Sequence, residues 1–451
     1  MASITHRGSA VRTAPLVARH PGETDQPVDR LAWIATVLSM LGLIFILSGS
    51  SLGAVLFLAA WGCLATARAE HCLQLIFRSP GLWAIPAFAA FSIFWSQAPV
   101  VTLRAAVELA LTVGIAALAA GSLRPRAFVS AMTVSLLCGA ALSLMFGRYD
   151  YDGMSGETVF VGIFASKNTM AAFMSFLAIF AAAVLADRGQ PRLLRLLALF
   201  AFVLSVPLLL RARSAGALLT TVGSLAVLLL TVAFARLASR ERLLVLAAAA
   251  ALAVPVVLLV VLFTLNGTLG QDWSSFLTGD LGKDATLTGR TLLWQIALAE
   301  IAKRPFLGTG YYAFWLQGNL LAESIWRDFD IYTRAGFTFH NTYLNVAVEL
   351  GWTGVAVLVV TLGLAIERSV RLALADQTWA TAALVAAIAC LAARTIGEVD
   401  VPYPFSAGTF LLFVAASYGA DYAGAIWRSA RTAPVSPAGW LLPGEQPHPS
   451  G

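Results

Sequence analysis

Apolar segments, each close to the ~20 residues that an α-helix needs to cross a bilayer, follow one another along most of the chain. Short turns rich in Arg, Gly, Pro or Ser separate them. The pattern predicts twelve transmembrane helices, at 32–49, 51–67, 82–96, 100–121, 127–147, 168–187, 192–210, 214–236, 242–265, 341–366, 376–396 and 403–426. The third predicted helix is short, so we expect it to be tilted or partly buried.

The composition agrees with this pattern and excludes an ordinary soluble domain. Apolar residues make up 59% of the chain and charged residues only 12%, against about 25% charged in a typical soluble protein. Four cysteines show neither metal-ligand spacing nor a disulfide framework, so we expect no metal and no cofactor. The sequence therefore predicts an all-α polytopic membrane protein.

Arginines concentrate in alternate turns, which predicts the orientation. Because cytoplasmic loops of membrane proteins collect Lys and Arg, both termini are expected in the cytoplasm of a bacterial inner membrane. The same rule explains the net charge of +6 without a nucleic-acid partner. The predicted segments are a disordered cytoplasmic tail, helices 1–9, a large periplasmic loop, helices 10–12 and a second disordered tail, at 1–30, 31–265, 266–340, 341–430 and 431–451.

Several basic residues lie on the predicted outer face, against this trend. Lys167 ends the 148–167 loop, Arg211 and Arg213 form a tight turn, and Arg290 lies in the large loop. Binding of an anionic group would explain them. The alternative is that long loops cross the membrane regardless of charge, which suits the large loop better than the tight turn. Within the large loop, 287–305 has helical spacing of apolar residues and ends at Pro305.

Of the five histidines, only His340 lies next to a long apolar segment, at the predicted outer boundary of the membrane. A neutral imidazole there can take a proton from a hydroxyl, or it can cap the helix or bond a loop carbonyl. Glu349 would lie on the opposite face of a straight helix and ~13 Å along it, so the two cannot form a dyad. Gly351 and Gly354 predict close helix packing or a bend.

The string from His340 and Asn341 through "TYLNVAVEL", Gly351 and "WT" to Gly354 resembles the motif of the O-antigen ligase and Wzy-type polysaccharide polymerase superfamily, including ExoQ-like polymerases. "RPFLGTGYYAFW" and the "GRTLLW" stretch resemble that family's outer loop. "GIFASKNTMAAF" resembles its upstream Lys-Asn motif, with Ser166 where many members have His. The resemblance covers roughly 30–430 and implies a GT-C-like membrane fold.

The resemblance also implies a chemistry. The donor would be a glycan on undecaprenyl diphosphate at the periplasmic face, and the acceptor a sugar hydroxyl, with inversion at the anomeric carbon and no metal. His340 would activate the acceptor. Arg213 and Arg290 match the family's arginines and would hold the diphosphate, with contributions from Arg211 and Lys167. The supporting positions are Asn341 and Asn168 of the two motifs, together with Glu398 and Asp400 of the last outer turn.

Some alternatives remain open from the sequence. Glu398 and Asp400 can orient the histidine, bind a sugar hydroxyl, or be simple polar loop residues. The acceptor can be another repeat unit in a polymerase, lipid A core in a ligase, or a protein hydroxyl. Other polysaccharide-assembly proteins are conceivable partners. A transporter of lipid-linked sugars would also need outer cations, but it predicts internal repeats and broken midplane spans, which are not evident here.

Overall fold

The computed structural model describes residues 29–47, 52–152, 157–245, 284–334 and 336–418. The chain is mostly helical. Its helices are α1 (Arg30–Leu47), α2 (Leu52–Ala67), α3 (Ala69–Phe77), α4 (Ala84–Phe91), α5 (Pro99–Ser122), α6 (Pro125–Phe146), α7 (Lys167–Ala186), α8 (Arg192–Arg211), α9 (Ala215–Arg236), α10 (Asp284–Lys303), α11 (Leu320–Asp328), α12 (Thr342–Asp376), α13 (Trp379–Arg394) and α14 (Ala407–Tyr418).

Six of the described helices are long and apolar enough to cross a membrane, namely α5, α6, α7, α8, α9 and α12. The first, third, eleventh and twelfth predicted spans correspond to shorter apolar helices. The second corresponds to α2, which forms a bent pair with α3, a helix that was not predicted. The ninth, at 242–265, lies mostly outside the described residues, as do both predicted tails. The third span is short, as expected, because 3₁₀ turns flank α4 on both sides.

One two-stranded hairpin interrupts the helical architecture. Strands β1 (Arg148–Asp152) and β2 (Glu157–Gly162) pair antiparallel between α6 and α7. The sequence analysis treated this segment as a plain loop, although Tyr149, Asp150, Tyr151 and Asp152 alternate between aromatic and acidic residues with the period of a strand. The loop after 283 contains both the predicted helix, observed as α10, and a second short helix, α11, which was not predicted.

Helix α7 lies at the centre of the bundle. It packs against α6, α8, α9 and α13, and most of its side chains are buried. Its many alanines let neighbouring helices approach closely. Close packing of this kind drives helix association in a membrane, because lipid tails are as apolar as the helix surfaces. Because α7 begins at Lys167, its first residues lie in the middle of one end of the bundle.

Candidate active site

His340 lies just before α12 in a constrained backbone. Its φ is +47°, a left-handed conformation that costs a non-glycine residue free energy and is often found at functional sites. The helix is capped by Asn341, whose side-chain oxygen accepts the Tyr343 and Leu344 N–H groups at 3.0 and 3.1 Å. The cap is therefore Asn341 and not His340, whose ring stays available for another role.

Glu398 bridges the histidine and an arginine. Its Oε2 lies 3.3 Å from His340 Nδ1, and its Oε1 accepts a bond from Arg290 Nη2 at 2.8 Å. Burial alone would raise the pKa of Glu398, but the His340 hydrogen bond and nearby positive charges, those of Arg394 and Arg290 among them, outweigh it and hold this pKa below its ordinary value.

The ionised Glu398 determines which nitrogen of His340 carries hydrogen. A carboxylate can only accept hydrogen bonds, so Nδ1 must donate to it. Nε2 then keeps its lone pair and can accept a proton. Helix α10 supports this arrangement from one side, since it carries Arg290 and, one turn later, Trp294, whose Nε1 donates to the Phe339 carbonyl at 3.1 Å. His340 is thus held on two sides by the loop helix and by the 395–406 turn.

A break in α12 brings His340 to Glu398. Gly351 has φ 67° and ψ −175°, far from helical values. A straight helix of 35 residues would be about 52 Å long, whereas the adjoining α13, with 16 residues, spans only about 24 Å. Yet the Thr342 N–H donates to the Thr395 carbonyl at the far end of α13, at 2.9 Å. The segment 342–350 must therefore turn away from the axis of the rest of α12.

The large loop occupies this break. The Trp352 N–H donates to the Pro305 carbonyl at 2.8 Å, and the Thr309 and Gly310 N–H groups donate to the Val348 and Glu349 carbonyls at 2.9 and 2.8 Å. Backbone groups freed by the break are thus satisfied by protein, as irregular backbone in a membrane protein requires. We call 305–310 the wedge. Gly351 marks a bend, one of the two structures predicted for it.

Glu349 belongs to the same break, and its bonding partners differ from those of His340. Its carboxylate accepts the Tyr312 N–H at 3.0 Å and lies 3.4 Å from the Asn345 side-chain nitrogen. Its partners come from the large loop and from its own helix. As expected, it forms no pair with His340; the histidine bonds Glu398 instead.

Asp400 has a different partner from Glu398, although only one residue separates them. It accepts from Arg394 Nε at 2.6 Å, and Arg394 also donates to the Asn168 carbonyl at 3.3 Å. The Arg394 side chain is only 3% exposed. It ties the turn that carries Glu398 to the start of α7. Arg394 lies inside the predicted span 376–396 and was not predicted as a site residue, although a charge within an apolar helix is itself a signal of function.

The remaining predicted residues surround the start of α7. Ser166 caps this helix, with its hydroxyl accepting the Thr169 N–H at 3.2 Å. The Asn168 side-chain oxygen accepts from the Ser214 hydroxyl at 3.2 Å, which links α7 to the start of α9. Lys167 pairs with Asp152 of the hairpin at 2.5 Å. Asn168 and Arg394 therefore link the Lys-Asn motif to the turn that carries Glu398 and Asp400.

The arginines of the 211–213 turn are exposed to solvent. Arg213 has φ 49° and pairs with Glu157 of β2 at 2.9 Å. Arg211, in the last turn of α8, is also exposed. An exposed ion pair contributes about 0–1 kcal/mol. A diphosphate with more charge than one carboxylate can therefore displace Glu157 from Arg213 at small cost.

Together, the predicted outer residues lie at one end of the bundle and form two connected groups. The first group contains His340, Glu398 and Arg290. The second is linked through the starts of α7 and α9 and contains Lys167, Asn168, Arg213 and Arg394. Among the described residues, no group of three or more His, Cys, Asp and Glu side chains lies close enough together to hold a metal ion. The arrangement places His340, a possible proton acceptor, beside several cations. It suits a reaction in which a group is transferred away from an anionic leaving group.

Comparison with known proteins gives two matches. The family model Wzy_C, described as O-Antigen ligase, matches residues 200–359, a span that includes the 211–213 turn, Arg290, His340 and the break in α12. The chain is also 35% identical over 342 residues to the Exopolysaccharide production protein ExoQ of Rhizobium meliloti (strain 1021), which covers 74% of this chain and 75% of that protein.

Proposed function

Because the chain belongs to the O-antigen ligase and Wzy-type polymerase family of multi-pass membrane proteins, together with ExoQ, we propose that it polymerises the repeat units of an exopolysaccharide or O-antigen. The donor is a glycan linked to undecaprenyl diphosphate, and the acceptor is a hydroxyl on a second repeat unit. The observation that carries the proposal is the pair of contacts made by Glu398. Its carboxylate bonds both His340, which can accept a proton, and the cation Arg290.

The transfer step uses His340 as its base. The acceptor oxygen bonds to the anomeric carbon while its proton moves to Nε2 of His340. The bond from that carbon to the diphosphate breaks, and its electron pair stays on the departing lipid diphosphate. Attack from the side opposite the leaving group inverts the anomeric configuration. Glu398 stabilises the imidazolium that forms, as a carboxylate does for the histidine of a Ser-His-Asp triad.

The cations serve the leaving group. Arg213 is exposed and Arg290 partly buried, so they offer different grips on a diphosphate that gains charge as it departs. Arg211 and Lys167 add positive charge nearby. Arg394 does not contact the substrate in this scheme. It holds the 395–406 turn against α7 and so positions Glu398.

The proposal places the site on the periplasmic side of the inner membrane. The short turns at the opposite end contain the Arg-rich sequences that favour the cytoplasm. A topology reporter fused after Gly189, between α7 and α8, should report the cytoplasm, and one fused after Gly318, in the large loop, should report the periplasm. The same compartment for both would contradict the proposed orientation.

The experiment that tests the function uses purified full-length protein in lipid nanodiscs. The substrate is the lipid-linked repeat unit extracted from a strain that lacks this chain. Chain growth is followed on a gel. His340→Ala should lower the rate by ~10²–10⁴-fold, the usual contribution of a positioned base, while donor binding is kept. The matched control is His71→Ala, an exposed histidine of α3 at the other end of the bundle, which should leave the rate unchanged.

The outcomes separate the competing functions. Polymer formed by the wild type without any added lipid A supports a polymerase. Product formed only when lipid A core is added would support a ligase, the function for which the matched family model is named. An unchanged rate for His340→Ala would refute its role as the base and redirect the search to other groups around Glu398.

A further inference from the structure

Three exposed tyrosines lie beside the candidate active site and have no role in the transfer step. Tyr149 and Tyr151 are on β1, and Tyr332 is in the loop between α11 and His340. Their exposed fractions are 64%, 55% and 86%. When several large aromatic side chains are this exposed, they often mark a surface that binds a partner.

The hairpin presents its tyrosines on one face. Residues two apart on a strand share a face, so Tyr149 and Tyr151 point the same way, and Asp150 and Asp152 point the other way. The Tyr149 ring packs on Phe160 of β2, with centroids 5.2 Å apart. The aromatic face therefore starts at a buried phenylalanine and continues outwards to Tyr151.

The third tyrosine lies in the loop that leads to His340. The Tyr332 hydroxyl donates to Asp330 at 3.1 Å, and this bond and the Asp330 charge raise the pKa of Tyr332. Two contacts hold described residues of this loop, since the Ile331 N–H donates to the Trp326 carbonyl at 2.7 Å and Phe337 packs on Phe329.

Both carriers of the tyrosines are connected to the candidate active site. The two ends of the hairpin turn pair with site cations, Asp152 with Lys167 and Glu157 with Arg213. The loop with Tyr332 leads within eight residues to His340, whose ring contacts Phe337 with centroids 5.5 Å apart. The exposed rings are thus carried by two segments that are each anchored at the candidate site, where a new glycosidic bond would form.

We infer that Tyr149, Tyr151 and Tyr332 form a glycan-binding surface, the tyrosine platform, that holds the growing polysaccharide chain outside the transfer site. A sugar ring has an apolar C–H face and a rim of hydroxyls, which matches a tyrosine ring with its polar tip. This inference rests on the proposed polymerase function.

The platform would act on chain length rather than on bond formation. It touches neither His340 nor Glu398, so a single transfer does not need it. Repeated addition to one chain, however, requires the glycan to stay bound between transfers. Lost contacts act mainly by raising the dissociation rate, so loss of the rings should release chains early and shorten the product.

The test compares ring removal with hydroxyl removal at the same positions. Tyr151→Ala and Tyr332→Ala are made singly and together in the full chain, with Tyr151→Phe and Tyr332→Phe as matched controls that keep the ring. Polysaccharide from cells that carry each variant is sized by gel filtration and normalised to protein in the membrane fraction. The Ala variants should shorten the mean chain about two- to tenfold per ring, the range of an aromatic contact, and the Phe variants should match the wild type.

A second measurement tests binding directly. Polysaccharide purified from the wild-type strain should bind the purified double Ala variant several-fold more weakly than wild-type protein, while the rate of the first linkage between two repeat units stays unchanged. The inference is overturned if the Ala variants show the chain length and the binding of the wild type. It is also overturned if these variants lower the amount of membrane-bound protein at unchanged chain length, because the rings would then belong to the membrane surface. The same polysaccharide formed by cells that lack this chain would contradict the proposed function instead, and the binding measurement would still decide on the platform.

Discussion

Replacing Gly351 by alanine tests whether the break in α12 positions His340. At φ 67° and ψ −175°, a region that essentially only glycine occupies, an alanine costs about 1–3 kcal/mol relative to glycine. Its Cβ would also lie 2.1 Å from the Phe306 carbonyl carbon and 2.4 Å from the Leu307 nitrogen. These are backbone atoms and cannot rotate away, so the wedge must separate from the break.

Separation of the wedge weakens the hydrogen bond from Trp352 to Pro305 and its two neighbours, each contributing about 0.5–1.5 kcal/mol. Backbone strain and the loss of all three bonds together give a destabilisation of roughly 2.5–7.5 kcal/mol. The activity should fall further than the stability, because a shift of His340 by about 1 Å relative to its substrate can lower the rate by ~10²-fold.

The matched control is Gly363→Ala in the same helix. Gly363 lies in regular helix, and a Cβ there meets nothing within 4 Å. Alanine is the better helix former by roughly 0.5–1 kcal/mol, so this variant should be as stable as the wild type or slightly more so. Both variants are purified in one detergent, and the apparent unfolding temperature and the rate of chain growth are measured. The role of the break would be refuted if Gly351→Ala had the same unfolding temperature and the same rate of chain growth as Gly363→Ala.

Two further predictions concern the buried charges. Asp400→Ala should destabilise the protein by about 3–5 kcal/mol, because it leaves the buried charge of Arg394 unpaired, and Arg394→Ala should cost less, because the Asp400 side chain is 20% exposed. Thermal unfolding of the double variant should show less than the sum of the two losses, and additive losses would count against a direct pair. Since the pKa of Glu398 is lowered in the folded protein, its ionised form stabilises the fold above the ordinary carboxyl pKa of 4.5, and this stability is lost as pH falls through the lower folded value. The difference in unfolding temperature between wild type and Glu398→Gln should therefore be largest near neutral pH and shrink below roughly pH 4, and a difference that does not change with pH would refute the assignment.

Local sequence determined much of the architecture. The lengths of the apolar segments predicted α5 to α9 within a few residues, because a membrane helix must satisfy its backbone within one continuous segment. Helical spacing and Pro305 predicted the loop helix at 287–305, observed at Asp284–Lys303. The cap at Asn341 is also determined by local sequence, since an asparagine side chain reaches only the next few N–H groups.

The tertiary structure decided which polar groups meet. Glu398 and Asp400 are equivalent from the sequence, yet one bonds His340 and Arg290 and the other bonds Arg394. These pairings, apart from that of Arg394 with Asp400, join residues that are about 60 to 110 positions apart, where periodicity carries no information.

The break in α12 has the same origin. A glycine inside an apolar helix allows either close packing or a bend, and the sequence left both open. The bend forms because the wedge, about 40 residues earlier in the chain, supplies hydrogen-bond partners for the freed backbone groups of 348–352. Local propensity thus determined where helices can form, and contacts between distant segments determined where His340 lies and what holds it.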